Sequence, residues 1–295
     1  MKITLSKYAG FCEGVDRAYN MIKKMASDPK VKKPIFVLGA LVHNEDAVKS
    51  LEKLGVVTIS GKKDFFSAIG GSAYGRKDKI GTLAITAHGM GPEIYDFAKK
   101  KNIDLVDTTC PRVIKAQRLA KLFSEKKYQL VIVGEKDHKE VKGIFEWGKK
   151  QAQFVKKEND FKKLKLDPKK KIAVISQTTQ NQEFVRHAWD VLRKKYLKVE
   201  IVDTLCLTTQ NRQGEVRKRA MKNDAVVVIG SPTSANSTRL WEISREINPK
   251  SYFIERKNQL KKNWFKNCQT IWVTAGASTP KWIIADVIEY LSGLE

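Results

Sequence analysis

The feature that most limits what this chain can fold into is a repeat. Cys12, Cys110 and Cys206 stand 98 and 96 residues apart in a chain of 295, close to one third of its length. Their surroundings repeat with them. Val106-Asp107-Thr108-Thr109-Cys110 and Val202-Asp203-Thr204-Leu205-Cys206 are nearly one pentapeptide, and residues 3–12 supply a strand ending in Gly10-Phe11-Cys12. After each cysteine, apolar residues take helical spacing: Val15, Ala18, Tyr19 and Ile22; Val113, Ala116, Leu119 and Ala120; Val216, Ala220 and Met221.

Each predicted helix leads into a β-rich run that closes on a glycine: Ile35-Phe36-Val37-Leu38-Gly39, Leu130-Val131-Ile132-Val133-Gly134 and Val226-Val227-Val228-Ile229-Gly230. A further strand follows in each third, over residues 83–89, 172–179 and 271–278. Continuous apolar strands alternating with amphipathic helices indicate parallel sheets covered on both faces, joined by right-handed crossovers. The expected class is α/β, with three pseudo-threefold-related small units of mainly parallel sheet. Their expected bounds are residues 13–110, 111–206 and 207–295, the last completed by the N-terminal strand 1–12.

Parallel α/β units bind ligands at the carboxyl ends of their strands, so the repeat predicts rows of equivalent site residues. The first row is Cys12, Cys110 and Cys206. The second is His43, His138 and Ser234, at 31, 28 and 28 residues beyond the matching cysteines, and the third is His88, Thr178 and Ser278, at 76, 68 and 72. Three thiolates without a fourth equivalent can hold an iron–sulfur cluster by three corners, leaving one iron open as a Lewis acid. Zinc competes for the same ligand types, and spacing alone does not choose between them. Cys268 has no counterpart in the other thirds and reads as a small buried hydrophobe. His187, inside a helical run, reads as structural.

Imidazoles, the hydroxyls of Ser234, Thr178 and Ser278, the Asn236 amide and helix N-termini can all donate to phosphate oxygens, so the second and third rows suit a phosphorylated ligand. No Walker loop or dinucleotide fingerprint is present. Glu140 is the one carboxylate on a strand-end loop among these rows. It reads either as a proton donor raised in pKa by a closed site or as a helix N-terminal Glu favoured by the dipole.

Composition narrows the partners. A hydrophobic fraction of 42% supports a substantial core and excludes disorder, collagen and a coiled coil. No apolar stretch approaches the ~18 residues of a membrane helix, and the opening residues lack the apolar core of a signal peptide, so a cytoplasmic protein without membrane association is expected. The net charge of +24 comes from 44 Lys and 12 Arg against 32 acidic residues. The lysines are scattered, without the Arg forks and interleaved aromatics of specific nucleic-acid recognition. The charge reads as a solvated surface, with steering of an anionic substrate or acidic electron carrier as its functional alternative.

Several motifs together resemble the 4-hydroxy-3-methylbut-2-enyl diphosphate reductase family. They are Gly10-Phe11-Cys12 with Gly14-Val15-Asp16-Arg17-Ala18, Val42-His43-Asn44, Ala87-His88-Gly89, Asp107-Thr108-Thr109-Cys110-Pro111, His138-Lys139-Glu140-Val141, Gln177-Thr178-Thr179, Thr208-Thr209-Gln210-Asn211-Arg212-Gln213 and Thr274-Ala275-Gly276-Ala277-Ser278. The resemblance implies a trefoil-like arrangement around a central [4Fe–4S] cluster with one open iron, held by Cys12, Cys110 and Cys206. It implies that His43, His88, His138, Ser234, Ala235, Asn236 and Ser278 surround the diphosphate of an allylic substrate. Catalytic roles pass by the same resemblance to Thr178 near the substrate hydroxyl, to Glu140 as proton source and to His138. The reaction it implies uses two electrons and two protons to remove the hydroxyl as water, giving isopentenyl or dimethylallyl diphosphate, with ferredoxin or flavodoxin as donor. The other readings are a zinc hydrolase of a phosphorylated small molecule and a basic RNA-binding protein. One departure stands out: the family carries two adjacent serines before the asparagine, whereas this chain reads Ser234-Ala235-Asn236.

Overall fold

The computed structural model describes residues 1–59 and 81–294. Its strands form three sheets of four, parallel throughout. The first contains β2 (Ile35–Leu38), β3 (Val56–Ile59), β4 (Thr82–Ile85) and β5 (Asp104–Asp107) in the order β3-β2-β4-β5. The second contains β6 (Gln129–Val133), β7 (Ala152–Val155), β8 (Ile172–Ser176) and β9 (Val199–Ile201) in the order β7-β6-β8-β9. The third contains β10 (Ala225–Ile229), β11 (Ser251–Ile254), β12 (Thr270–Ala275) and the opening strand β1 (Lys2–Leu5) in the order β11-β10-β12-β1. Lys2 stands opposite Thr270 and Leu5 opposite Val273. Strand order is therefore the same in all three sheets, as the repeat requires.

Among the described residues, the α-helices are α1 (Glu13–Ser27), α2 (Glu45–Glu52), α3 (Pro92–Lys100), α4 (Pro111–Glu125), α5 (Lys139–Trp147), α6 (Gln182–Lys195), α7 (Leu207–Ala220), α8 (Ala235–Ile247) and α9 (Lys281–Ser292). The chain divides into two compact units. One comprises Met1–Asp16, Val42–Ser50 and Leu207–Glu295 and carries the third sheet; the other comprises Arg17–Leu41 and Leu51–Cys206 and carries the first two.

Alternation along the central strands explains why their runs are apolar on both faces. Val131, Val133, Ile172 and Val174 pack with Val185, Ala188 and Leu192 of α6. Their neighbours Leu130, Ile132, Ala173 and Ile175 pack with Ala116, Ala120 and Phe123 of α4 and with Val141 and Ile144 of α5. The third sheet repeats the scheme. Val227, Ile229, Ile271 and Val273 meet Ile283, Ile284, Val287 and Leu291 of α9, and Val226, Val228 and Trp272 meet Val216 and Ala220 of α7 with Leu240 and Ile243 of α8. Among the described residues, no helix is long and apolar enough to cross a membrane.

Strand ends are tied off in matching ways. The N–H groups of Gly39, Gly134 and Gly230 donate to the carbonyls of Ile59, Val155 and Ile254 at 2.6, 2.9 and 2.8 Å. Gly39 takes φ +89°, a conformation that side-chain-bearing residues rarely adopt.

At Gly276 the requirement is close approach: an added Cβ would overlap the Ser237 hydroxyl and lie 3.0 Å from its Cβ. Ser237 is fully buried and bonded to Ser234, so it has no room to retreat. Gly276→Ala should therefore destabilise the protein by about 1–3 kcal/mol. Gly214, inside α7 with open space around it, should give the opposite sign, with Gly214→Ala adding up to ~1 kcal/mol. Denaturant midpoints of the two variants check both signs.

Candidate active site

Every one of the three repeated cysteines immediately precedes a helix, α1, α4 or α7, and follows the edge strand β1, β5 or β9 of its sheet. Each sulfur therefore sits at the positive end of a helix dipole. Each cysteine N–H is also bonded to a carbonyl beyond the neighbouring strand: Cys12 to Ala277 at 3.2 Å, Cys110 to Ala87 at 3.0 Å and Cys206 to Thr178 at 2.8 Å. The repeated Asp-Thr pair sets these turns. Asp107 Oδ1 accepts from the Thr109 N–H, and Asp203 Oδ1 from the Leu205 N–H, both at 2.9 Å. The hydroxyls of Thr108 and Thr204 donate to the carbonyls of Ile85 and Ser176.

In the unit that carries the third sheet, the strand ends present Cys12, Ser234, Asn236 and Ser278. Ser234 caps α8, accepting from the Ser237 N–H at 3.4 Å. Ala235, half-buried, is the first residue of that helix. Asn236 is buried, and neither its amide nitrogen nor its amide oxygen has a hydrogen-bond partner. A buried amide left this way costs about 1–3 kcal/mol, which a polar ligand would relieve. Ser278 is buried beyond β12. His43, half-buried, precedes Asn44, whose side chain accepts from the Ala47 N–H at 3.0 Å at the start of α2. That helix is held to the segment after β11 by Arg256, which reaches Glu45 at 2.8 Å and Asp46 at 2.9 Å.

The other unit brings the remaining residues into one continuous chain of contacts. The rings of His88 and His138 meet edge to face with centroids 5.9 Å apart. His138 caps α5, its Nδ1 accepting from the Glu140 N–H at 3.2 Å. That bond fixes the neutral tautomer, leaving Nε2 with the proton and able to donate. Burial, helped by the charge of Lys139, pushes the His138 pKa down to about 4. Glu140 lies in the first turn of α5, the helix N-terminal position that was one of its two readings, because the helix begins directly after His138. It is buried, and its carboxylate grips Thr178 twice: Oε1 accepts from the N–H at 2.6 Å and Oε2 from the hydroxyl at 3.0 Å. Desolvation raises the Glu140 pKa to about 7 against the lowering effect of those two bonds. Thr178 in turn carries the carbonyl that receives Cys206.

No disulfide involves the four cysteines. Cys12, Cys110 and Cys206 are partly buried, and Cys110 spends no side-chain bond on capping α4. Soft sulfur ligands suit iron–sulfur or zinc binding. Among the described residues, no three His, Cys, Asp or Glu side chains gather as if around a single ion. A four-iron cluster asks something different, one thiolate per iron. Cys268 is buried in the core beside Phe265, as a small hydrophobe would be, and His187 pairs with Glu158 at 2.8 Å on the surface.

Two contributors escape a reading of the sequence alone. Arg212, buried on the otherwise polar helix α7, donates to the Ala275 carbonyl at 2.9 Å and the Gly10 carbonyl at 2.8 Å, anchoring the turn that bears Cys12. Lys139, half-buried against Gly39, has its pKa lowered by burial. Both lie in quoted motifs, Arg212 in Thr208–Gln213 and Lys139 in His138–Val141, and nothing else in the sequence marked either.

The raised Glu140 pKa has a signed consequence. The folded state holds this proton more tightly than the unfolded chain, so the stability it contributes is full below the ordinary value of 4.5 and is lost as pH rises through about 7. His138 acts in the opposite sense, its contribution being lost as pH falls from 6.5 through about 4. Glu140→Gln should remove the first effect alone. Its stability relative to the parent should increase from pH 5 to pH 8 by on the order of 3 kcal/mol, read as the difference between two denaturant titrations.

The sequence matches the profile of the LytB protein family over residues 3–292. It is 38% identical to a protein of Geotalea daltonii named 4-hydroxy-3-methylbut-2-enyl diphosphate reductase, over all of this chain and 98% of that one. A protein of the same name from Bacillus thuringiensis is 35% identical over 99% of this chain and 90% of its own. Among solved structures, the E-1-hydroxy-2-methyl-but-2-enyl-4-diphosphate reductase of Plasmodium falciparum superposes with a TM-score of 0.87 at 28% identity, covering 98% of this chain and 87% of that one. A second, titled (E)-4-hydroxy-3-methyl-but-2-enyl diphosphate reductase, gives 0.71 at 31% identity, covering 99% of both chains. With the repeated sheets, the cysteine turns and full-length similarity all in agreement, the chain belongs to the LytB protein family.

Proposed function

We infer that this chain is an oxidoreductase that converts 4-hydroxy-3-methylbut-2-enyl diphosphate to isopentenyl and dimethylallyl diphosphate, the terminal step of the methylerythritol phosphate route. The observation that carries this reading is the buried Glu140, with a pKa near 7, bonded to Thr178 on the helix end capped by His138. The balance is fixed: two electrons and two protons enter, the C–O bond breaks, one proton leaves with the oxygen as water, and the other forms a C–H bond at either end of the allylic system.

Within that reading, Cys12, Cys110 and Cys206 are the ligands of a [4Fe–4S] cluster, one from each repeated unit 13–110, 111–206 and 207–295 with strand 1–12. When bound, the cluster supplies electrons and one open iron as a Lewis acid. The Thr178 hydroxyl is assigned to the substrate hydroxyl. Glu140, half protonated near neutral pH, delivers a proton through Thr178, a distance bridged by one hydrogen bond. His138 stays neutral and donates from Nε2 to a phosphate oxygen. His43, His88, Ser234, Asn236 and Ser278, with the backbone N–H of Ala235, hold the rest of the diphosphate, aided by the N-termini of α5 and α8. A reduced ferredoxin or flavodoxin supplies the electrons, and the reaction runs in the cytoplasm.

Metal analysis after anaerobic purification tests the reading: about four iron and four sulfide per chain are expected. Cys12→Ser, Cys110→Ser and Cys206→Ser should each lose most of the iron, whereas Cys268→Ser should keep it. One zinc per chain with no iron, or full iron in all three single variants, overturns the ligand assignment.

The missing serine gives a separate expectation. A hydrogen bond to a charged group is worth roughly 1.5–3 kcal/mol, so Ala235→Ser should lower KM for the diphosphate substrate by about tenfold while kcat stays near the parent value. Steady-state kinetics with a small-molecule reductant would show it.

A further inference from the structure

Helix α4 carries two distinct stripes. Val113, Ala116, Gln117, Ala120 and Phe123 are buried beneath it. A second set at helical spacing, Pro111, Ile114, Lys115, Arg118, Leu119 and Leu122, lines an open groove of about 410 Å³. Leu122 is 42% exposed, whereas Ile114 is half-buried and Leu119, half-buried too, rests partly on the core. Lys115 and Arg118 are exposed beside them. Lys115 touches only a main-chain carbonyl, that of Asp203 at 3.5 Å, and among the described residues neither cation has a carboxylate partner.

The groove begins at the residue that follows Cys110. With a rise of ~1.5 Å per residue, Lys115 and Arg118 stand roughly 7.5 and 12 Å along the helix from that cysteine. An apolar centre flanked by uncompensated cations suits a partner with a small apolar contact inside an acidic rim. The net charge of +24 attracts such a partner and repels a second copy of this chain.

We propose that the α4 groove is the docking surface for a small acidic electron-carrier protein, which delivers electrons beside Cys110. The proposal rests on the reductase reading and adds to it a place of entry. Ile114, Leu119 and Leu122 form the apolar contact, and Lys115 and Arg118 pair with carboxylates on the carrier. Their contribution to encounter falls with ionic strength.

The test uses the full-length holoenzyme, a purified acidic ferredoxin as probe, and the double variant Lys115→Glu/Arg118→Glu. Lys169→Glu/Lys170→Glu, two exposed positions just before β8, makes the same change in net charge and serves as control. Calorimetry at low salt should show ferredoxin binding weakened at least tenfold by the first pair and less than twofold by the second. Ferredoxin-driven kcat/KM should fall by a similar factor and lose its salt dependence, while turnover driven by reduced methyl viologen stays at the parent rate. Unchanged ferredoxin binding, an equal loss in the control, or a loss confined to binding of RNA or of a second copy would overturn the proposal. Absence of viologen-driven turnover in the parent itself would instead strike the reductase reading, and the binding comparison would still decide the groove.

Discussion

The structure depends on a backbone hydrogen bond made three times. Each repeated cysteine follows an edge strand and donates its N–H to a carbonyl just beyond the adjacent strand, that of Ala277, Ala87 or Thr178. The bond stops the chain from running on as β structure and turns it into a helix, leaving the thiol at the junction. Parallel pairing makes this possible, because all four strands of a sheet deliver their carboxyl ends to the same edge. The Asp-Thr pair before Cys110 and Cys206 stiffens the same turn from the other side. Arg212 does comparable work at Cys12, satisfying two carbonyls that would otherwise be buried without donors.

Helix α5 shows how a structural cap and an ionisable site share a few atoms. His138 spends Nδ1 on the Glu140 N–H, so its other nitrogen must carry the proton. Glu140 is then drawn under the helix start against Thr178, where loss of water counts for more than the two bonds it gains. The two pKa values move in opposite directions, yet burial is the leading cause of both. In each case it favours the uncharged form. A histidine that donates while neutral and a carboxyl half protonated near pH 7 are thus two results of one desolvated helix end.

Much of this was legible in the sequence because it was written repeatedly. The Val- and Ile-rich runs closing on Gly39, Gly134 and Gly230 emerge as central strands, and the cysteine spacing gave the repeat of edge strand, turn and helix. What escaped depends on contacts between residues distant in the chain. The helix-start position of Glu140 was among its readings, but its burial was not, because that comes from Thr178, 38 positions away. Arg212 sits in a helix whose other residues are mostly polar, a composition that predicts an exposed face, and only the carbonyls of Gly10 and Ala275 explain its burial. On α4 the groove residues are interleaved with the core stripe, so periodicity alone could not separate them.

The pairing of β1 with β12 has a consequence for how the molecule is made. Residues 2–5 leave the ribosome long before residues 270–273, their hydrogen-bonding partners. Sheets whose strands lie close together in the chain can assemble during translation, whereas this edge must wait, since closing so long a loop comes late in folding. The turn at Cys12 takes shape only when that wait ends, through the Ala277 carbonyl. Any inorganic group that needs all three thiols therefore has to wait for β12, and Cys12 stays without its turn until that strand is in place.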